Sequence, residues 1–118
     1  MKIKRNTRKH IRFYRMHPAI LGAIAIIDAV FEEVAGCESL CTSANDHKHR
    51  VGSRHYDTSD PEGLARALDL RTKWMGLTTL EKKLIRKKLS AKLGPNFRVI
   101  LEKLGKVQEH IHLSYIGP

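Results

Sequence analysis

Apolar residues in this chain fall into separate stretches, and the period of each stretch predicts its structure. Residues 18–35 are dense in Ala, Ile, Leu and Val, with Pro18 suited to a first helical position and Gly36 to a stop, so a helix is expected there. Its apolar positions nearly encircle it until Asp28, which predicts a central, buried helix. Residues 38–42 (ESLCT) suggest a short strand, and 65–71 (ARALDLR) alternate as a half-buried strand does. Thr78 or Thr79 can cap a second helix running to about Lys92, which Gly94-Pro95 ends. Residues 97–103 (FRVILEK) and 110–116 (HIHLSYI) alternate with period two and predict two further strands. The order helix, strand, strand, helix, strand, strand points to an α+β domain, an antiparallel sheet with flanking helices. A polar run, SANDHKHRVGSRHYDTSDPEG, separates the first two strands. Unbroken loops of this length in a compact domain are usually functional or disordered.

At 118 residues, with no internal repeat or Pro/Gly/Ser linker, the chain has the length of one domain. Its hydrophobic content of 42% and charged content of 29% are ordinary for a globular protein and argue against a disordered one. Charge changes the picture more. The net charge is +10, and residues 1–15 carry Lys2, Lys4, Arg5, Arg8, Lys9, Arg12 and Arg15 without one acid. A second basic cluster is Lys82, Lys83, Arg86, Lys87, Lys88 and Lys92. Such surfaces attract polyanions, whether nucleic acid, an anionic membrane or anionic wall polymers. The expected division is a basic arm over 1–16 and a folded domain over 17–118. The apolar run 18–27 is too short to span a bilayer, and the acids at 28, 32 and 33 interrupt the apolar character beyond it, so neither a signal peptide nor a transmembrane helix is expected. Cys37 and Cys41 would close only a tiny disulfide loop and are expected as reduced, buried side chains.

Chemistry gathers at His55 in the long loop, Asp69 on the strand after it, and Glu109, His110 and His112 around the last strand. Two imidazoles and one carboxylate form a good three-ligand zinc set with an open fourth position. Glu109 is a nearby carboxylate available as a general base. Spacing leaves other pairings open: His47 and His49 with Cys37 and Cys41 could form a structural zinc site, or remain solvated loop residues.

Three segments, taken in order, carry a resemblance. Ser53-Arg54-His55-Tyr56, then Ala65-Arg66-Ala67-Leu68-Asp69-Leu70-Arg71, then Glu109-His110-Ile111-His112-Leu113-Ser114-Tyr115, resemble the signature segments of the zinc D-Ala-D-Ala carboxypeptidases. That group includes VanY-type enzymes, phage endolysin peptidases and, more distantly, the hedgehog signalling domain. The resemblance implies a hedgehog/DD-peptidase-like fold, with Zn2+ held by His55, Asp69 and His112. It implies Glu109 as the base that activates water, with His110 beside the metal without ligating it. Ser53, Lys48 and Arg71 become candidates for holding the loop or the substrate. Lys48 stands in the stretch where relatives place a carboxylate-binding arginine, and the insertion 56–64 (YDTSDPEGL) is expected as a lid or rim.

The implied function is a zinc metallopeptidase cutting stem peptides of bacterial peptidoglycan, as carboxypeptidase or endopeptidase. The resemblance suggests a phage or prophage lysis enzyme, made in the cytoplasm, acting on the cell wall as a monomer, with its basic arm gripping anionic wall polymers. The rival from another class is a basic nucleic-acid-binding module whose histidines are incidental. It lacks a recognisable nucleic-acid motif and has few aromatics for stacking, so no specific nucleic-acid partner is expected. Trp74 and Met75 are expected to pack against the long helix.

Overall fold

The computed structural model describes residues 1–4, 13, 15–44 and 63–118. Its elements are β1 (Lys2–Ile3), α1 (Pro18–Ala35), β2 (Leu40–Ser43), β3 (Ala67–Arg71), α2 (Thr79–Leu93), β4 (Phe97–Glu102) and β5 (His110–Tyr115). The strands form one sheet in the order β1-β2-β3-β5-β4. β1 runs parallel to β2, and the other neighbours are antiparallel. The class is therefore α+β, but the sheet is mixed and not purely antiparallel as expected. The physical reason is β1, which the basic composition of the N-terminus concealed: Lys2 pairs with Leu40 and Ile3 with Cys41.

Both helices cover one face of the sheet. Ile20, Ala23, Ile27, Val30 and Phe31 of α1 and Ile85 and Leu89 of α2 pack with Cys41, Leu68, Leu70, Val99, Ile111 and Leu113. These strand residues share one parity, and their neighbours at odd spacing project to the opposite face. α1 is not encircled by protein, as its composition suggested: Leu21 is 46% exposed, and Gly22 and Ala25 face solvent with it. Spacings of three and four select a single buried stripe even in a nearly all-apolar helix. His17 precedes this helix and accepts the N–H of Ala19 at Nδ1, 3.0 Å away, while Gly36 takes φ 69° to close it. α2 opens with a capping box in which Thr78 and Glu81 satisfy each other's backbone N–H.

The described ends of the expected arm are built into the domain. The α-amino group of Met1 lies 2.7 Å from Asp28 and 2.9 Å from Glu38. Lys2 and Lys4 donate backbone N–H groups to Ser39 and Cys41. Met16 is buried and bridges in parallel to Ala65. Residues 5–12 of the expected arm lie outside the described residues. Trp74 is also corrected: it is 71% exposed at the end of β3, while Met75 packs on the core. Both cysteines are thiols, Cys41 buried and Cys37 half-buried. No described helix is long and apolar enough to cross a membrane.

Candidate metal centre

Register along the last three strands builds the site on the face away from the helices. Asp69 lies opposite His112, and His112 opposite Ile100. One step along, Arg71 lies opposite His110, and His110 opposite Glu102. In a pleated sheet, directly opposed residues project to the same side, so two adjacent rows bring one acid from β3, two imidazoles from β5 and one acid from β4 together. A donor atom from each of Asp69, His110 and His112 lies within 4.8 Å of the other two, and all three residues are half-buried. It is the one such group of His, Cys, Asp or Glu residues among those described.

The internal contacts orient this cluster. His112 Nδ1 stands 2.8 Å from Asp69 Oδ1. That hydrogen bond raises the His112 pKa above the usual imidazole range; partial burial opposes it, the charges of Asp69 and Glu102 add to it, and Arg98 opposes it. His110 Nδ1 lies 2.7 Å from the carbonyl oxygen of Gln108. A carbonyl only accepts, so Nδ1 carries a proton, and Nε2 is the ring nitrogen left to face a metal. That Nε2 faces Asp69 Oδ1 at 3.7 Å and Glu102 Oε2 at 3.5 Å. A backbone carbonyl that fixes the tautomer of a histidine is a common support for a metal ligand.

Two imidazoles and a carboxylate are donor types that zinc and other divalent metals accept. Tetrahedral ligands at about 2.0–2.2 Å from zinc lie roughly 3.3 Å from one another. The 3.7 Å between Asp69 Oδ1 and His110 Nε2 is near that spacing, whereas the 2.8 Å contact with His112 is a hydrogen bond that metal binding by the same two atoms would replace. His112 gives up a proton at Nδ1 if that nitrogen becomes the donor.

Asp69 and His112 are thus brought together as expected, whereas His110, expected beside the metal without ligating it, turns a donor nitrogen into the cluster. His55, Ser53 and Lys48 lie outside the described residues, as do His47 and His49 of the alternative cysteine-containing site. Arg71 sits at the margin of the cluster with its guanidinium 5.4 Å from the centre of the Trp74 ring.

Glu109 requires a correction. For its carboxylate to meet the metal group, the chain had to bend between Glu109 and His112. Instead Glu109 follows the inward parity of Ile111 and Leu113, and its side chain is wholly out of water on the helix side. The Thr72 hydroxyl donates to Oε1 at 2.6 Å, Lys82 Nζ approaches the same oxygen at 2.8 Å, and the Gly105 N–H donates to Oε2 at 2.8 Å. Gly105 takes φ 80° in the β4–β5 turn, and its N–H reaches the carboxylate on the inner side. Burial pushes the Glu109 pKa up, but the Lys82, Thr72 and Gly105 hydrogen bonds outweigh it and bring it down to about 2. Glu109 therefore ties the end of β3, the first turn of α2 and the β4–β5 turn together.

Glu102 is the site residue that sequence reasoning missed. Its signal was weak: it shares parity with Arg98 and Ile100, but only the β4–β5 register sets it against His110. A separate groove of about 600 Å³ lies between α2 and β4, lined by Lys83, Arg86, Lys87, Val99, Leu101 and Leu104 among others. It is a basic-rimmed surface, and none of the three clustered donors lines it.

Comparison of the chain with family models, with curated proteins and with solved structures gives no match. The class established for the protein is that of its fold, α+β with a five-stranded mixed sheet and two helices.

Proposed function

We propose that this chain is a zinc-dependent metallopeptidase that hydrolyses peptide bonds in the stem peptides of bacterial peptidoglycan. The observation that carries the proposal is the convergence of Asp69, His110 and His112, with donor atoms within 4.8 Å of one another on the sheet face away from the helices. It is joined by the resemblance of three ordered segments to the zinc D-Ala-D-Ala carboxypeptidases. Asp69 and His112 are common to both lines of support. The second imidazole is His55 by resemblance and His110 by geometry.

Zinc held there would supply Lewis acidity and bring the pKa of a water in its open position to about 7. The chain's own residues do the rest. Before metal enters, Asp69 holds His112 through the 2.8 Å contact, and the Gln108 carbonyl holds the His110 ring. Arg71, stacked on Trp74 at the margin of the site, offers a fixed guanidinium to a carboxylate of the peptide. The family assignment, the wall substrate and a phage origin stand within this proposal.

Elemental analysis of the purified protein tests it. About one zinc per chain is expected, and His112→Ala is expected to lose most of it. Parallel His55→Ala and His110→Ala variants identify the second imidazole by which one loses metal. A full zinc complement in His112→Ala would remove the site. Purified peptidoglycan left uncut by the zinc-loaded protein, judged by mass analysis of released fragments, would remove the activity.

A further inference from the structure

Hydrolysis of a peptide bond needs a group that takes a proton from water and delivers it to the leaving nitrogen. Glu109 is badly placed for this. Its oxygens already receive Thr72, Lys82 and Gly105, and its side chain is out of water on the helix side. A base must be within hydrogen-bond reach of the proton it removes, directly or through one water.

Glu102 meets that requirement from the other side of the hairpin. It is the last residue of β4 and pairs in register with His110. Its Oε2 lies 3.5 Å from His110 Nε2, the ring nitrogen that faces the cluster. Its side chain is 38% exposed and so open to water, whereas that of Glu109 is at 0%. It stands outside the group of three whose donors lie within 4.8 Å of one another, adjacent to the cluster and not part of its ligand set. The strand supports it rigidly, because Glu102 and His110 occupy one rung of the β4–β5 ladder.

We propose that Glu102 is the proton acceptor of this site. The assignment rests on the proposed hydrolytic function. Glu102 takes one proton from the attacking water as the water oxygen bonds to the scissile carbonyl carbon. As the carbon–nitrogen bond breaks, that proton passes to the leaving nitrogen. The water's second proton leaves the new carboxyl group for the amine, so the products are a carboxylate-bearing fragment and an ammonium-bearing one, and Glu102 is returned ionised. No oxidant, reductant or further reactant is consumed.

The test compares wild type, Glu102→Gln and Glu109→Gln as full-length protein. Three quantities are read: zinc content with zinc affinity by chelator competition, melting temperature, and the rate of fragment release from purified peptidoglycan. Glu102→Gln is expected to keep its zinc and its melting temperature while its rate falls about 10²–10⁴-fold, the usual worth of general acid–base catalysis. Glu109→Gln is expected to melt lower and to retain its rate at temperatures where it stays folded. A Glu102→Gln rate within a few-fold of wild type overturns the assignment alone. Loss of zinc from Glu102→Gln also overturns it, making Glu102 a ligand. A wild type that holds no zinc or releases no fragment overturns the hydrolytic function itself, and the assignment with it.

Discussion

Removing the charge of Glu109 is expected to destabilise the fold far more than it affects any chemistry. The carboxyl pKa falls from an ordinary 4.5 to about 2 in the folded protein. A difference of roughly 2.5 units, at about 1.36 kcal/mol each, is worth about 3 kcal/mol of folding free energy at neutral pH. The sign comes from the direction of the shift. A depressed carboxyl pKa stabilises the fold above the unfolded value near 4.5, and that contribution is lost as pH falls toward 2. Glu109→Gln removes the titrating group and leaves Lys82, itself only 14% exposed, beside a neutral amide. For a chain of this length, unfolding entropy of about 2.1 cal/mol/K per residue converts the loss to a drop in melting temperature of roughly 12 °C. Urea unfolding of wild type and variant from pH 7 to pH 2 measures the effect, because the other carboxylates titrate in both proteins and cancel. The expected gap is about 3 kcal/mol above pH 5, closing steadily toward pH 2. A gap below about 1 kcal/mol at pH 7, or one unchanged by acid, would refute the structural role derived from these three contacts.

Two further outcomes are expected from the same structure. Deleting residues 1–4 is expected to lower the melting temperature and the hydrolysis of small peptides and intact walls alike, because Met1 pairs with Asp28 and Glu38 and β1 extends the sheet. An effect confined to intact walls would show instead a dispensable tether. Zinc affinity is expected to weaken as pH falls through the raised His112 pKa, since the Asp69 contact favours the protonated imidazole with which the metal competes. Chelator competition across pH 5 to 8 measures this, and in Asp69→Asn the dependence should move to lower pH along with an overall loss of affinity.

The local code of this chain is readable because its signals are local. Pro18, Gly36, Thr78 and Gly94-Pro95 mark the helices within a residue or two, since caps act on the adjacent backbone N–H and carbonyl groups. Alternation likewise marks β3, β4 and β5, and the same alternation puts His110 and His112 on one side of a strand. What alternation leaves undetermined is which strands adjoin and in what register. The sheet order sets Asp69 against His112 and Glu102 against His110, pairs that hydrogen bonding between distant segments creates. Glu109 shows the difference most sharply. The resemblance implied a catalytic carboxylate there, but the burial of Ile111 and Leu113 against the helices fixes the inward parity, and Thr72 and Lys82 stabilise the charge there. The seven cations among residues 1–15 suggested a basic arm apart from the domain, yet Lys2 and Ile3 form a strand through backbone groups that side-chain charge does not describe. The sequence alone determined where the helices and the inner strands lie and which side chains are of the types that can ligate a metal. The tertiary structure decided which of those residues meet, because register and sheet face are set by packing across the whole domain.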